Sequence, residues 1–118
     1  MTVAEAVAVL GGQFFTGKDK ADMEVSSACG ADLMSDVMAF VKDNVLLLTG
    51  LVNPQVIRTA TLLDISTVVF VRGKVPSRDM IAMAEEAGII LAGTKQSMYL
   101  ACGLLYEAGL RTGGIREI

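Results

Sequence analysis

Three short stretches of the chain are apolar at every position: residues 45–48 (VLLL), 68–71 (VVFV) and 89–92 (IILA). Between them the period changes. After Asn53-Pro54, the apolar residues Val56, Ile57, Ala60 and Leu63 recur at three- and four-residue spacing. After Ser77, Met80, Ile81, Ala84 and Ala87 do the same. An all-apolar run of four bounded by turn residues reads as a strand buried on both faces, and the spaced stretches read as amphipathic helices. Residues 45–74 therefore form one strand–helix–strand crossover. Asn53 supplies a capping side chain and Pro54 a ring already set for the first turn. Right-handed crossovers stack the helices in layers, so the pattern predicts a three-layer α/β/α domain with a mainly parallel sheet.

The flanking segments extend this frame. Residues 2–10 place Val3, Ala6, Val7 and Leu10 on one helical face, with Thr2 as cap and Gly11-Gly12 as stop. Residues 13–16 and 24–29 predict two short strands forming a smaller, antiparallel part. Leu33, Met34, Val37, Met38 and Val41 stripe a helix running to about Lys42, and Met98, Ala101, Cys102, Leu105 and Ala108 stripe a last one ending at Gly109. The division is a domain over 1–110 and a C-terminal tail over 111–118 without periodicity, loose or used in self-association.

Composition narrows the function. With 118 residues the chain makes one domain, and 53% apolar content excludes general disorder. No apolar run nears the roughly 18 residues of a membrane span, and no basic segment precedes the first apolar residues, so a cytoplasmic protein is expected. A net charge of −3 disfavours nucleic acid and anionic membrane as partners. The chain has no histidine, which removes the commonest general base and the usual zinc sites for its two cysteines, Cys29 and Cys102. Both read as reduced, partly buried thiols.

Two motifs invite chemistry. Residues 12–19 (GQFFTGKD) nearly spell a phosphate-binding loop, but Asp19 stands where a Ser or Thr should hold magnesium, and a helix precedes where a buried strand should. They read as a hairpin-like turn. Asp32 and Asp36 share a helical face and could bind a cation or exchange protons, as a metal-dependent hydrolase requires. The simpler assignment has Asp32 capping the helix and Asp36 facing water. Neither motif defines an enzyme, and no metal or catalytic residue is assigned.

In open α/β sheets ligands gather beyond the carboxyl ends of the strands. That rule selects the loops 30–35, 49–53, 72–77 and 93–97, each leading into a helix N-terminus with its partial positive charge. Their candidate ligand contacts are Asp32, Ser35, Thr49, Asn53, Arg72, Gly73, Lys74, Thr94, Lys95 and Ser97. Cations and hydroxyls at helix starts suit a small anion, such as a nucleotide or phosphorylated metabolite.

Several segments recur here in a characteristic order: Ala31-Asp32-Leu33-Met34-Ser35-Asp36-Val37, Val45-Leu46-Leu47-Leu48-Thr49-Gly50, Phe70-Val71-Arg72-Gly73-Lys74 and Ile89-Ile90-Leu91-Ala92-Gly93-Thr94. A helix containing Tyr99 and the string Leu105-Tyr106-Glu107-Ala108-Gly109-Leu110 follow. Over residues 2–110 this resembles the DRTGG-domain family. The resemblance implies a fold like the N-terminal domain of HPr kinase/phosphorylase and the middle domain of long phosphotransacetylases. It also implies a non-catalytic regulatory or ligand-binding role and a homodimer. Free-standing members are encoded beside iron hydrogenase and NADH-dehydrogenase-like components, which implies a second role, an accessory interaction subunit of a redox system. The kinase's P-loop domain has no counterpart, so kinase activity is not implied. The literal Arg111-Thr112-Gly113-Gly114 lies in the tail. The family's glycines belong at the end of the second crossover strand, where this chain has Val71-Arg72-Gly73-Lys74.

Overall fold

The structure is a computed structural model and describes residues 1–40 and 44–112. Five strands form one sheet: β1 (Gln13–Thr16), β2 (Ser27–Gly30), β3 (Val45–Thr49), β4 (Thr67–Phe70) and β5 (Ile90–Gly93), in the order β1-β5-β4-β3-β2. The three all-apolar runs lie side by side and run the same way, with Leu46 opposite Thr67 and Thr67 opposite Ile90. Every residue of β3, β4 and β5 is buried, as their composition requires.

Alternate residues of these strands serve two cores. Leu46, Leu48, Val69, Val71, Ile90 and Ala92 face one side, where they pack under α1 (Val3–Val9) and α5 (Met98–Glu107). Val45, Leu47, Val68, Phe70 and Leu91 face the other, under α2 (Met34–Phe40), α3 (Pro54–Leu62) and α4 (Arg78–Ala87). The fold is thus a three-layer α/β/α domain. Three helices start as read, with Thr2, Asn53 and Ser77 capping α1, α3 and α4 through side-chain oxygens; Ser97, read as a ligand contact, caps α5 in the same way. Gly88 ends α4 at φ +74°, which a residue with a Cβ adopts only under strain.

The N-terminal part departs from expectation. The two short strands extend the sheet, as expected, but they form its two opposite edges rather than one smaller part, and only one of them is antiparallel. Gln13–Thr16 pairs antiparallel with β5, and Ser27–Gly30 pairs parallel with β3. Strand pairing follows the partner edge, which local pattern does not reveal. The near-match to a phosphate loop is not a loop at all, since its central residues are β1. Nor is it a hairpin: Gly17 turns at φ +81° into a single 3₁₀ turn, Lys18–Lys20, and the chain then crosses to the far edge. Ala87 and Ala108, expected inward, are exposed, and Leu63 is half-buried. The end of the helix expected at Lys42 lies outside the described residues, as does 113–118 of the tail. The described start of the tail is held: Arg111 Nε donates to Tyr106 O at 3.2 Å, and Ala28 N donates to Thr112 O at 3.0 Å.

Candidate functional site at the strand ends

The chain leaves β2, β3 and β4 toward the face of α2, α3 and α4, and leaves β5 toward the opposite face. Neighbouring strands whose helices depart to opposite faces open a crevice at their carboxyl ends, here between β4 and β5. A cleft of about 270 Å³ lies at that place. Gly73 and Lys74 line it after β4, Gly93, Thr94 and Lys95 at the end of β5, and Gly11, Gly12, Gln13 and Phe15 from the approach to β1.

Close backbone packing shapes this cleft. A Cβ on Gly12 would stand 2.5 Å from Gly93 O, and a Cβ on Gly93 would stand 2.7 Å from the Phe15 ring. Both positions must be glycine for β1 to reach β5 with Phe15 as a wall. On the β4 side, the loops after β4 and β5 are stitched together by Arg72 N to Gln96 O (2.8 Å) and Gly73 N to Thr94 O (2.9 Å). The chain turns there through Arg72 at φ +60° and Gly73 at φ +71°, with Lys74 N donating to Val71 O. Positive φ at both central positions suits Gly73; at Arg72 it is local strain.

A second cluster surrounds the Gly50 peptide after β3. Asp32 Oδ1 accepts from Gly50 N at 2.7 Å and from Thr49 Oγ1 at 3.3 Å, and Lys74 Nζ donates to Gly50 O at 2.7 Å. The Arg72 guanidinium closes the notch, 3.1 Å from where a Cβ on Gly50 would lie. Asp32 therefore does not cap α2, as expected for it. Its carboxylate reaches sideways and ties the end of β2 to the end of β3.

The ten predicted contacts thus divide. Gly73, Lys74, Thr94 and Lys95 line the cleft, while Asp32, Thr49, Arg72 and Lys74 gather at Gly50. Lys74 belongs to both: it lines the cleft, and its ammonium donates to Gly50 O. Asn53 and Ser97 are helix caps, and Ser35 is exposed on α2. The hydroxyls have structural work: Thr49 Oγ1 accepts from Leu51 N, and buried Thr94 donates to Leu10 O at 2.8 Å and accepts from Gln96 N. The groups left to meet a ligand are Lys95 and Gln13, with Phe15 as an apolar wall. Sequence reasoning did not assign Gly11, Gly12, Gln13 and Phe15 to this rim; it read Gly11-Gly12 as a helix stop and set residues 12–19 aside as a turn.

Elsewhere the chemistry is quiet. Among the described residues no group of three His, Cys, Asp or Glu side chains could hold a metal ion, and no helix is long and apolar enough to cross a membrane. Cys29 and Cys102 are free and half-buried. Burial raises both thiols above their ordinary pKa, and Cys102 raises Cys29 further.

No family model matches the chain, and no curated protein matches it. Among solved structures, the fold is similar to the crystal structure of the CBS and DRTGG domains of the regulatory region of Clostridium perfringens pyrophosphatase, complexed with the activator diadenosine tetraphosphate. The TM-score is 0.73 at 14% identity, over 88% of this chain and 45% of that one. The likeness shows the fold and agrees at that level with the DRTGG resemblance. The chain spans less than half the length of the regulatory region it matches.

Proposed function

We propose that the protein is a non-catalytic regulatory domain that binds a small anionic metabolite or nucleotide in the cleft between β4, β5 and β1, and acts as a homodimer. The observation that carries this reading is the coincidence of the cleft, lined by Lys95, with the crevice the topology predicts. Similarity to a regulatory region crystallised with a nucleotide activator supports the same class of role. The cleft volume of about 270 Å³ sits at the lower edge of small-molecule pockets, about 300–1,000 Å³. It suits a phosphorylated small metabolite or a single nucleotide, not a whole dinucleoside polyphosphate.

The test is thermal stabilisation by a panel of mono- and dinucleotides and sugar phosphates. Ligand at about a hundred times its Kd stabilises by about 2.7 kcal/mol, a clear rise in Tm. Lys95→Ala abolishes the rise without lowering the Tm of the free protein, because Lys95 is exposed. A panel without any shift at millimolar concentration, or shifts that survive Lys95→Ala, rejects the reading.

A further inference from the structure

Helix α5 differs from the other long helices. From Met98 to Tyr106 it carries no charged residue, whereas α3 and α4 show charged or polar side chains to water. Its inner face, Ala101 and Leu105, is buried on the sheet. Its outer face presents Tyr99, Leu100 and Tyr106, exposed by 86%, 52% and 59%. A helix apolar all round is normally covered all round. We infer that this outer face is the contact between two copies of the chain, packed antiparallel about a two-fold axis at Gly103; the inference rests on the homodimer in the proposed function and assigns its surface.

Three features point to a second copy rather than to an unrelated partner. First, the face is self-complementary. At 100° per residue, Tyr99 and Tyr106 fall on the same side of Gly103, four positions before it and three after. A two-fold axis at Gly103 sets Tyr99 of one copy against Tyr106 of the other, twice, giving two aromatic pairs of the kind enriched at interface centres. Second, Gly103 leaves the middle of the face open: a Cβ added there meets nothing within 4 Å in the monomer. The two helices can approach closely at that point and nowhere else along α5. Third, the area fits. Two tyrosines and a leucine at these exposures, with the half-buried residues beside them, offer on the order of 450 Å² per copy, or about 900 Å² in the pair. That is the size of a weak, concentration-dependent dimer; the nearest charges are Glu107 at the end of α5 and the Arg111 guanidinium, 5.4 Å over the Tyr106 ring.

Gly103 also supplies a clean test. Gly103→Arg places a side chain in open space on the monomer and improves helix propensity, so the fold survives and its Tm is unchanged or higher. Sedimentation of the wild-type chain from 1 to about 500 µM is expected to show a monomer–dimer equilibrium, and Gly103→Arg is expected to remain monomeric throughout. In a Cys102→Ser background, Gly103→Cys is expected to form a covalent dimer on mild oxidation, because the two thiols meet at the axis. A wild-type monomer at every concentration overturns both the dimer and its surface. A wild-type dimer that persists in Gly103→Arg, or fails to cross-link through Gly103→Cys, overturns the surface alone. Neither result bears on ligand binding, which the Lys95→Ala comparison reads separately.

Discussion

Single residues explain why the loops at the strand ends hold their shape. Asp32 is the clearest case. Its carboxylate accepts from the buried Gly50 N–H and the Thr49 hydroxyl at the end of β3. Removing it strands a buried donor, which costs about 1–3 kcal/mol. Asp32→Ala is therefore expected to lower stability by that amount in urea titration, while Asp32→Asn, which keeps an acceptor, loses less. Arg72 makes the opposite prediction. A residue with a Cβ held at φ +60° is strained by roughly 1 kcal/mol. Arg72→Gly is expected to leave stability unchanged or higher, the relief of strain offsetting the lost guanidinium contact over Gly50. The cysteines give a pH prediction. Their pKa values are raised in the folded state, so folding favours the neutral thiols; that preference is fully present below the unfolded pKa and is lost as pH rises through the folded values. Alkylation by iodoacetamide near pH 8 is accordingly expected to be slower in the native protein than in urea. Equal rates would contradict the burial of both groups.

At the scale of elements, the chain shows which features a sequence exposes and which it hides. The all-apolar runs announced β3, β4 and β5, and Asn53-Pro54, Ser77 and Gly88 marked the helix ends, because these signals are local and each has a single physical cause. Pairing is different. Residues 13–16 and 27–30 are short half-buried strands whose partners lie far along the chain, so their placement at opposite edges could not be read from their own composition. The device that seats β1 is Gly12 against Gly93, where backbone meets backbone. A Cβ at Gly12 would come within 2.5 Å of Gly93 O, an obstacle that no side-chain rotation relieves. Gly12→Ala is expected to cost more than about 1 kcal/mol and to weaken hydrogen-exchange protection in β1 and β5 more than in β2 and β3. Uniform loss of protection across the sheet would show instead that β1 is not a separate edge.

For the whole molecule, one topological fact organises the rest: α5 departs to the face opposite α2, α3 and α4. It opens the crevice between β4 and β5, and it places a helix uncharged from Met98 to Tyr106 on the outside of the other layer. The rim of strand-end loops at which the cleft lies was legible from sequence, since parallel strands send their loops to one end. Its composition was not, because hydroxyls and caps that look available along the chain are used up in three dimensions, and because Gly11, Gly12, Gln13 and Phe15 reach the rim only through the antiparallel edge strand. The account is tested most directly by backbone amide NMR of the labelled chain titrated with a nucleotide or sugar phosphate that raises its Tm. The expected result is that shifts concentrate at Gly11, Gly12, Gln13, Gly73 and Lys95, and disappear in Lys95→Ala. Shifts confined to another surface, such as the groove that Leu62 and Met83 line between α3 and α4, would contradict it.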